Sequence, residues 1–140
     1  MTETRGPEIE LIEDAERVEL ETPLGREWEP VVRLVLGGVA DRLGLGFEEL
    51  DDLQLAVERL LAEANSQPSV KLVFELAGDR VRTQVGPLRE ATIATALQGP
   101  SAPGELGLRR ILETVVDSFG VEDSSDGELI VRLEKRVPRR

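Results

Sequence analysis

The chain contains no cysteine and no histidine. That absence removes thiolate and imidazole metal ligands, and every nucleophile-and-base arrangement that needs an imidazole, so it argues against a zinc enzyme or a triad hydrolase. Aromatic residues are scarce. Trp28, Phe47, Phe74 and Phe119 are the whole set, too few to line a base-stacking surface. No apolar run reaches the roughly 18 to 20 residues of a membrane span, and "MTETRGPEIE" has neither the basic start nor the apolar core of a secretory leader. A cytoplasmic location and no membrane partner are therefore expected. Positive charge is also short, with 17 Lys and Arg against 28 Asp and Glu and a net charge of -11. That is the wrong sign for a surface that binds phosphate backbones by releasing counterions, so no nucleic-acid partner is expected.

What is present suffices for one domain, since 140 residues can bury a single core without disulfides or a structural metal. Charge is unevenly placed. Residues 1 to 21 hold eight acids against Arg5 and Arg17, a net of -6, whereas "RLEKRVPRR" holds five bases and one acid. Both ends read as solvated: an acidic mobile tail over 1–16, a single domain over 17–137, and a basic tail over 138–140.

The pattern between those tails alternates between two periods. "RVELETPL" has the two-residue period of a half-buried strand, and Pro23 restricts it to an edge or an end. "EPVVRLVLGGVADRLGLG" places Val32, Val35, Leu36, Val39 and Leu43 at helical spacing behind Pro30, and its Gly37 and Gly38 imply close packing or a bend. In "FEELDDLQLAVERLLAEAN" four acids open a helix whose stripe is Leu50, Leu53, Val57, Leu60 and Ala64. "VKLVFELAGDRVRTQVG" reads as a hairpin turning at Ala77 to Asp79. "PLREATIATALQGPSAPGE" holds a short helix around Glu90 to Leu97 inside a segment, Leu88 to Pro103, that reads as mobile. A helix carrying Leu108, Ile111, Leu112, Val115, Val116 and Phe119 follows, then a hairpin turning at Ser124 to Gly127. Helices separated from adjacent strands imply an α+β fold: a two-layer sandwich of a mixed, mainly antiparallel sheet with about three helices on one face.

Element order and motifs over residues 18 to 137 resemble the anti-sigma regulatory factor serine kinases of bacteria, a branch of the histidine-kinase-like ATPases. In that family a helix carries a Glu that acts as general base and, four residues on, an Asn that holds magnesium. An Asp-x-Gly-x-Gly turn bonds adenine, and a glycine-rich lid ends in Gly-x-Gly-Leu at a helix start. "DLQLAV" is similar to the lead-in of the catalytic helix and maps the base onto Arg59 and the magnesium ligand onto Glu63. "QVGPL" puts Gln84 at the adenine-binding Asp, keeps Gly86 and replaces the last Gly by Leu88, while "GELGL", from Gly104, retains Gly107 and Leu108 but puts Glu105 where the first close-packing Gly should stand.

These substitutions act on chemistry. A guanidinium stays protonated at any ordinary pH and cannot serve as a base. Recruiting Glu58 instead moves the acid about 100° around the helix. Glu63 adds negative charge beside a polyphosphate, and Gln84 is an uncharged acceptor. The resemblance therefore implies a degenerate member: a vestigial nucleotide pocket of Glu63, Gln84, Gly86, Gly104, Gly107 and Leu108, no catalytic residue and no metal site. No cofactor is expected on this reading. It implies regulation by protein binding, to a sigma factor or an anti-anti-sigma factor, as a dimer or heterocomplex. The alternative is a serine/threonine protein kinase that uses ATP and Mg, with Glu63 or Glu58 in the metal role. A plainer account of Arg59 and Glu63 is an i,i+4 ion pair flanking a buried helix.

Overall fold

The computed structural model describes residues 16–64, 66–98 and 107–138. The strand expected first is β1 (Glu16–Pro23), followed by a short turn of 3-10 helix, Arg26–Trp28. Next come α1 (Glu29–Leu43), α2 (Phe47–Glu63), β2 (Ser69–Ala77), β3 (Arg80–Arg89) and α3 (Glu90–Gln98). The order closes with α4 (Leu108–Val115), β4 (Ser118–Asp123) and β5 (Glu128–Arg136). The strands form one sheet ordered β1-β2-β3-β5-β4, and all four neighbouring pairs are antiparallel. The α+β sandwich is thus as expected, with its sheet wholly antiparallel among the described residues. The short helix expected around Glu90 to Leu97 is α3, and with it the described residues hold four α-helices where about three were expected.

Local chemistry explains the boundaries. Pro30 lies in the first turn of α1, where its missing N–H costs no intrahelical bond. Glu49 accepts a hydrogen bond from the Gly46 N–H at 3.0 Å and, with Glu48, puts negative charge at the positive end of the α2 dipole. Gly78 and Gly127 turn the two hairpins with φ of 55° and 73°, a region that a side chain disfavours.

Alternation along the strands divides the sheet into two unlike faces. Toward the helices point Leu72, Phe74, Val81, Val85, Val131 and Leu133, all fully buried. Against them pack Leu36 of α1, Leu53, Val57 and Leu60 of α2, and Leu112 of α4. On the open face Glu134 lies within reach of three guanidinium groups, Arg82 at 3.4 Å, Arg136 at 3.4 Å and Arg80 at 3.6 Å. Arg17 reaches Glu75 at 3.0 Å on that face, and Lys71 reaches Glu19 at 3.1 Å.

Three expectations are corrected. The helical stripe was extended to Phe119, but α4 ends at Val115 and Phe119 belongs to β4, paired with Leu133. Within the segment read as mobile, residues 88–98 are the end of β3 and α3; its remainder lies outside the described residues, as do the acidic tail, apart from Glu16 in β1, and residues 139–140. The close packing inferred at Gly37 and Gly38 is not present, since a Cβ placed on either meets nothing within 4 Å. No helix among the described residues is long and apolar enough to cross a membrane.

Candidate functional site

Helix α2 lies between α1 and α4, and its two flanks carry different charges. On the α1 side, Glu58 is held by Arg33 through two bonds, Nε to Oε2 at 2.6 Å and Nη2 to Oε1 at 3.3 Å. The fork of a guanidinium matches a carboxylate in this geometry. Glu58 therefore points away from the opposite flank and is already occupied. On that flank Asp52, Ala56, Arg59 and Glu63 follow one another at helical spacing. Asp52 accepts a bond from Lys135 of β5 at 3.1 Å, and the same ammonium donates to the Val115 carbonyl at the end of α4 at 2.8 Å. This fixes the orientation of the flank toward β5 and α4.

Arg59 lies about two turns further along α2 and Glu63 about three. Their closest approach is Nη2 to Oε2 at 3.9 Å, with both side chains about a third exposed. Coulomb attraction at that distance and exposure is weak, roughly 0.2 to 0.5 kcal/mol. Arg59 Nε is buried and has no hydrogen-bond partner among the described residues. A guanidinium and one loosely engaged carboxylate occupy this edge. Neither can remove a proton from a hydroxyl here: Arg59 is cationic, and Glu63 lies one turn from the base position. Among the described residues no three acidic side chains converge in a way that would hold a metal ion.

The remaining candidate positions are not all gathered there. In β3, Gln84 pairs with Val73 and Arg132, whose side chains share the open face of the sheet. It lines a shallow cleft of about 170 Å³ with Arg17, Lys71 and Ile130. Gln84 is therefore separated from Arg59 and Glu63 by the thickness of the sheet. Gly86 faces the same open side, and a Cβ on it would stand 3.0 Å from Ile130 Cγ1 and 3.1 Å from the Leu129 carbonyl oxygen. Close approach of β5 thus accounts for this glycine without any ligand. A bulge follows, since Val85 pairs with Val131 and Leu88 with Leu129, and it turns Leu88 into the core.

Leu108 is 2% exposed and packs in the core. Gly107, extended at φ -74° and ψ 166°, caps α4 and accepts the Ile111 N–H at 3.1 Å. These two remain at a helix start, that of α4, whereas Gly104 and Glu105 lie outside the described residues. No sequence pattern points to Gln67, whose side chain spans the loop after α2 and the bulge of β3. It donates to the Pro87 carbonyl at 3.0 Å and accepts the Arg89 N–H at 3.2 Å. Two backbone groups of "GPLR", the Pro87 carbonyl and the Arg89 N–H, are met by this amide.

Comparison with known proteins follows from this geometry. No protein-family profile matches the sequence. The chain is similar to the serine-protein kinase RsbW of Bacillus subtilis (strain 168), with 28% identity over 131 residues, covering 80% of this chain and 81% of that protein. It is also similar to the RsbW kinases of Bacillus mycoides (strain KBAB4) and Bacillus cereus (strain Q1), at 26% identity over 81 residues and 54% of this chain. The match spans about half the length of these two relatives, 51%. The distant similarity agrees with the resemblance drawn from the motifs.

Proposed function

We propose that the chain is an anti-sigma-factor-like regulator that works by binding another protein and does not transfer phosphate. The observation that carries this reading is the occupant of the family's base position, Arg59, with the neighbouring acid Glu58 committed to Arg33 on the other flank of α2. Separation of Gln84 from that flank supports it further, because an adenine contact and a phosphate-side contact must share one cleft. The partner classes are those the RsbW resemblance implies, a sigma factor or an anti-anti-sigma factor, with the exchange taking place in the cytoplasm.

Calorimetric titration with ATP and magnesium tests the reading. No binding heat up to millimolar nucleotide is expected, and no labelled phosphate should move from ATP to a serine of a co-purified partner. Micromolar binding with transfer would overturn it. A second reading rests on the looseness of the 3.9 Å pair, which leaves the Glu63 carboxylate free to take magnesium in an ATP-dependent serine kinase. Under that reading Glu63→Gln abolishes the metal dependence of nucleotide binding; under the first there is none to abolish.

A further inference from the structure

A groove at the far end of the helical layer has no part in the chemistry discussed so far. It lies between the second half of α1 and the start of α2, encloses about 290 Å³, and is lined by Gly37, Ala40, Leu45, Phe47 and Leu50. Phe47 is 87% exposed, and Leu34, one turn before Gly37 on α1, is 78% exposed. An apolar groove with a large open apolar side chain at its edge offers area that a partner can bury. Gly37 forms part of the floor with nothing within 4 Å of its missing Cβ, although glycine inside a helix costs about 1 kcal/mol relative to alanine. The walls are preformed: Gly44 and Leu45 both donate to the Ala40 carbonyl at 2.9 Å, and Glu49 caps α2 at Gly46.

Charge decides what fits. Asp41 lines the groove, and Glu48 and Asp51 directly follow its lining residues Phe47 and Leu50 in α2; all three acids are exposed and form no ion pair among the described residues. Arg42, the nearest base, is bound to Glu16 at 2.6 Å. A second copy seated symmetrically would bring these three acids against their own images. We infer that the groove receives a basic amphipathic helix of a partner protein, with apolar side chains over Gly37 and against Phe47, and Lys or Arg against Asp41, Glu48 and Asp51. Helix-in-groove docking of this kind takes its affinity from the apolar anchors and its selectivity from the rim. The inference deepens the partner-binding reading and rests on it, but on residues remote from Arg59, so ATP binding would defeat that reading without touching the groove.

The test uses a fluorescein-labelled 16-residue peptide with leucines at i, i+3, i+4 and i+7 spacing and lysines elsewhere, titrated into the full chain at 150 mM salt and read by anisotropy. A scrambled peptide of the same composition and a glutamate-for-lysine peptide serve as comparisons. Saturable binding of the patterned basic peptide is expected, at least tenfold tighter than the scrambled one, with no binding of the acidic one. Phe47→Ala and Gly37→Gln should each weaken it at least tenfold; the second fills open space and favours the helix, so it keeps the fold. Asp41→Lys with Glu48→Lys should remove it. Absence of binding, equal binding of the scrambled peptide, or indifference to Phe47→Ala and Gly37→Gln would overturn the inference, as would a homodimer in sedimentation that Phe47→Ala dissociates.

Discussion

The two faces of the sheet are built from the same strands and obey opposite rules. Toward the helices, Leu72, Phe74, Val85 and Leu133 are fully buried in one apolar cluster, and Thr83 is buried beside them with its hydroxyl unpartnered among the described residues. On the open face, Arg82 is only 7% exposed although, among the described residues, no helix packs over that face. There long side chains shield one another, and Glu134 is the carboxylate around which three guanidinium groups gather. The difference teaches where a nucleotide pocket can and cannot be sought. Residues one apart along a strand are separated by the sheet itself, so Gln84 and the α2 flank cannot share a ligand.

Experiments that would break this contrast range from large effects to small. Phe74→Ala empties the centre of the helix-covered face and should cost about 3 to 5 kcal/mol in denaturant unfolding. A loss below about 1 kcal/mol would mean that the inner face is not the core. On the open face, Glu134→Ala strips the shielded Arg82 of its carboxylate and should cost about 1 to 3 kcal/mol. Were it neutral, the arginines there would be ordinary solvated side chains. Arg59→Ala should change stability by no more than about 0.5 kcal/mol, because the pair it breaks is long and partly exposed. A larger loss would show that Arg59 supports the packing of α2.

The smallest effect is with pH, and it belongs to β1. Glu19 titrates below the ordinary glutamate range because it accepts hydrogen bonds from Arg17 and then Lys71. Glu16 does so because of its bond to Arg42. A carboxyl whose folded pKa is depressed adds stability that is fully present above the unfolded value and is lost as pH falls through the folded one. Acidification below the ordinary glutamate range should thus loosen β1 before the rest of the sheet. Carboxyl titrations followed by NMR in the wild type and in Arg42→Gln check this. Glu16 midpoints that coincide in the two proteins would contradict it.

Much of this architecture was legible in the sequence, and particular residues show where legibility stopped. Both hairpin turns were readable because Gly78 and Gly127 interrupt alternating runs, and the stripe Leu53, Val57, Leu60 because only a helix gathers those spacings. The α4 boundary was misread because Phe119 falls at helical spacing from Val115 and Val116 while belonging to the next strand. For Gln84 the signal was present, since Val81, Thr83 and Val85 alternate with Arg82 and Gln84. The motif register drew attention away from that period. Contacts such as Lys135 to Asp52, 83 residues apart, and the clasp of Gln67 depend on how layers meet, and no local pattern announces them.

The strand order has a consequence for how the protein is made. Within the sheet β4 touches only β5, and β5 fills the place between β3 and β4. A chain leaving the ribosome amino-terminus first can assemble β1, β2 and β3, since they are neighbours in both sequence and space. It cannot attach β4 when β4 appears. That strand must wait until β5 has emerged to pair with it. Both strands therefore join the sheet through β5 beside β3, and a nascent chain stalled after Asp123 would present β3 as a temporary free edge for chaperones to guard.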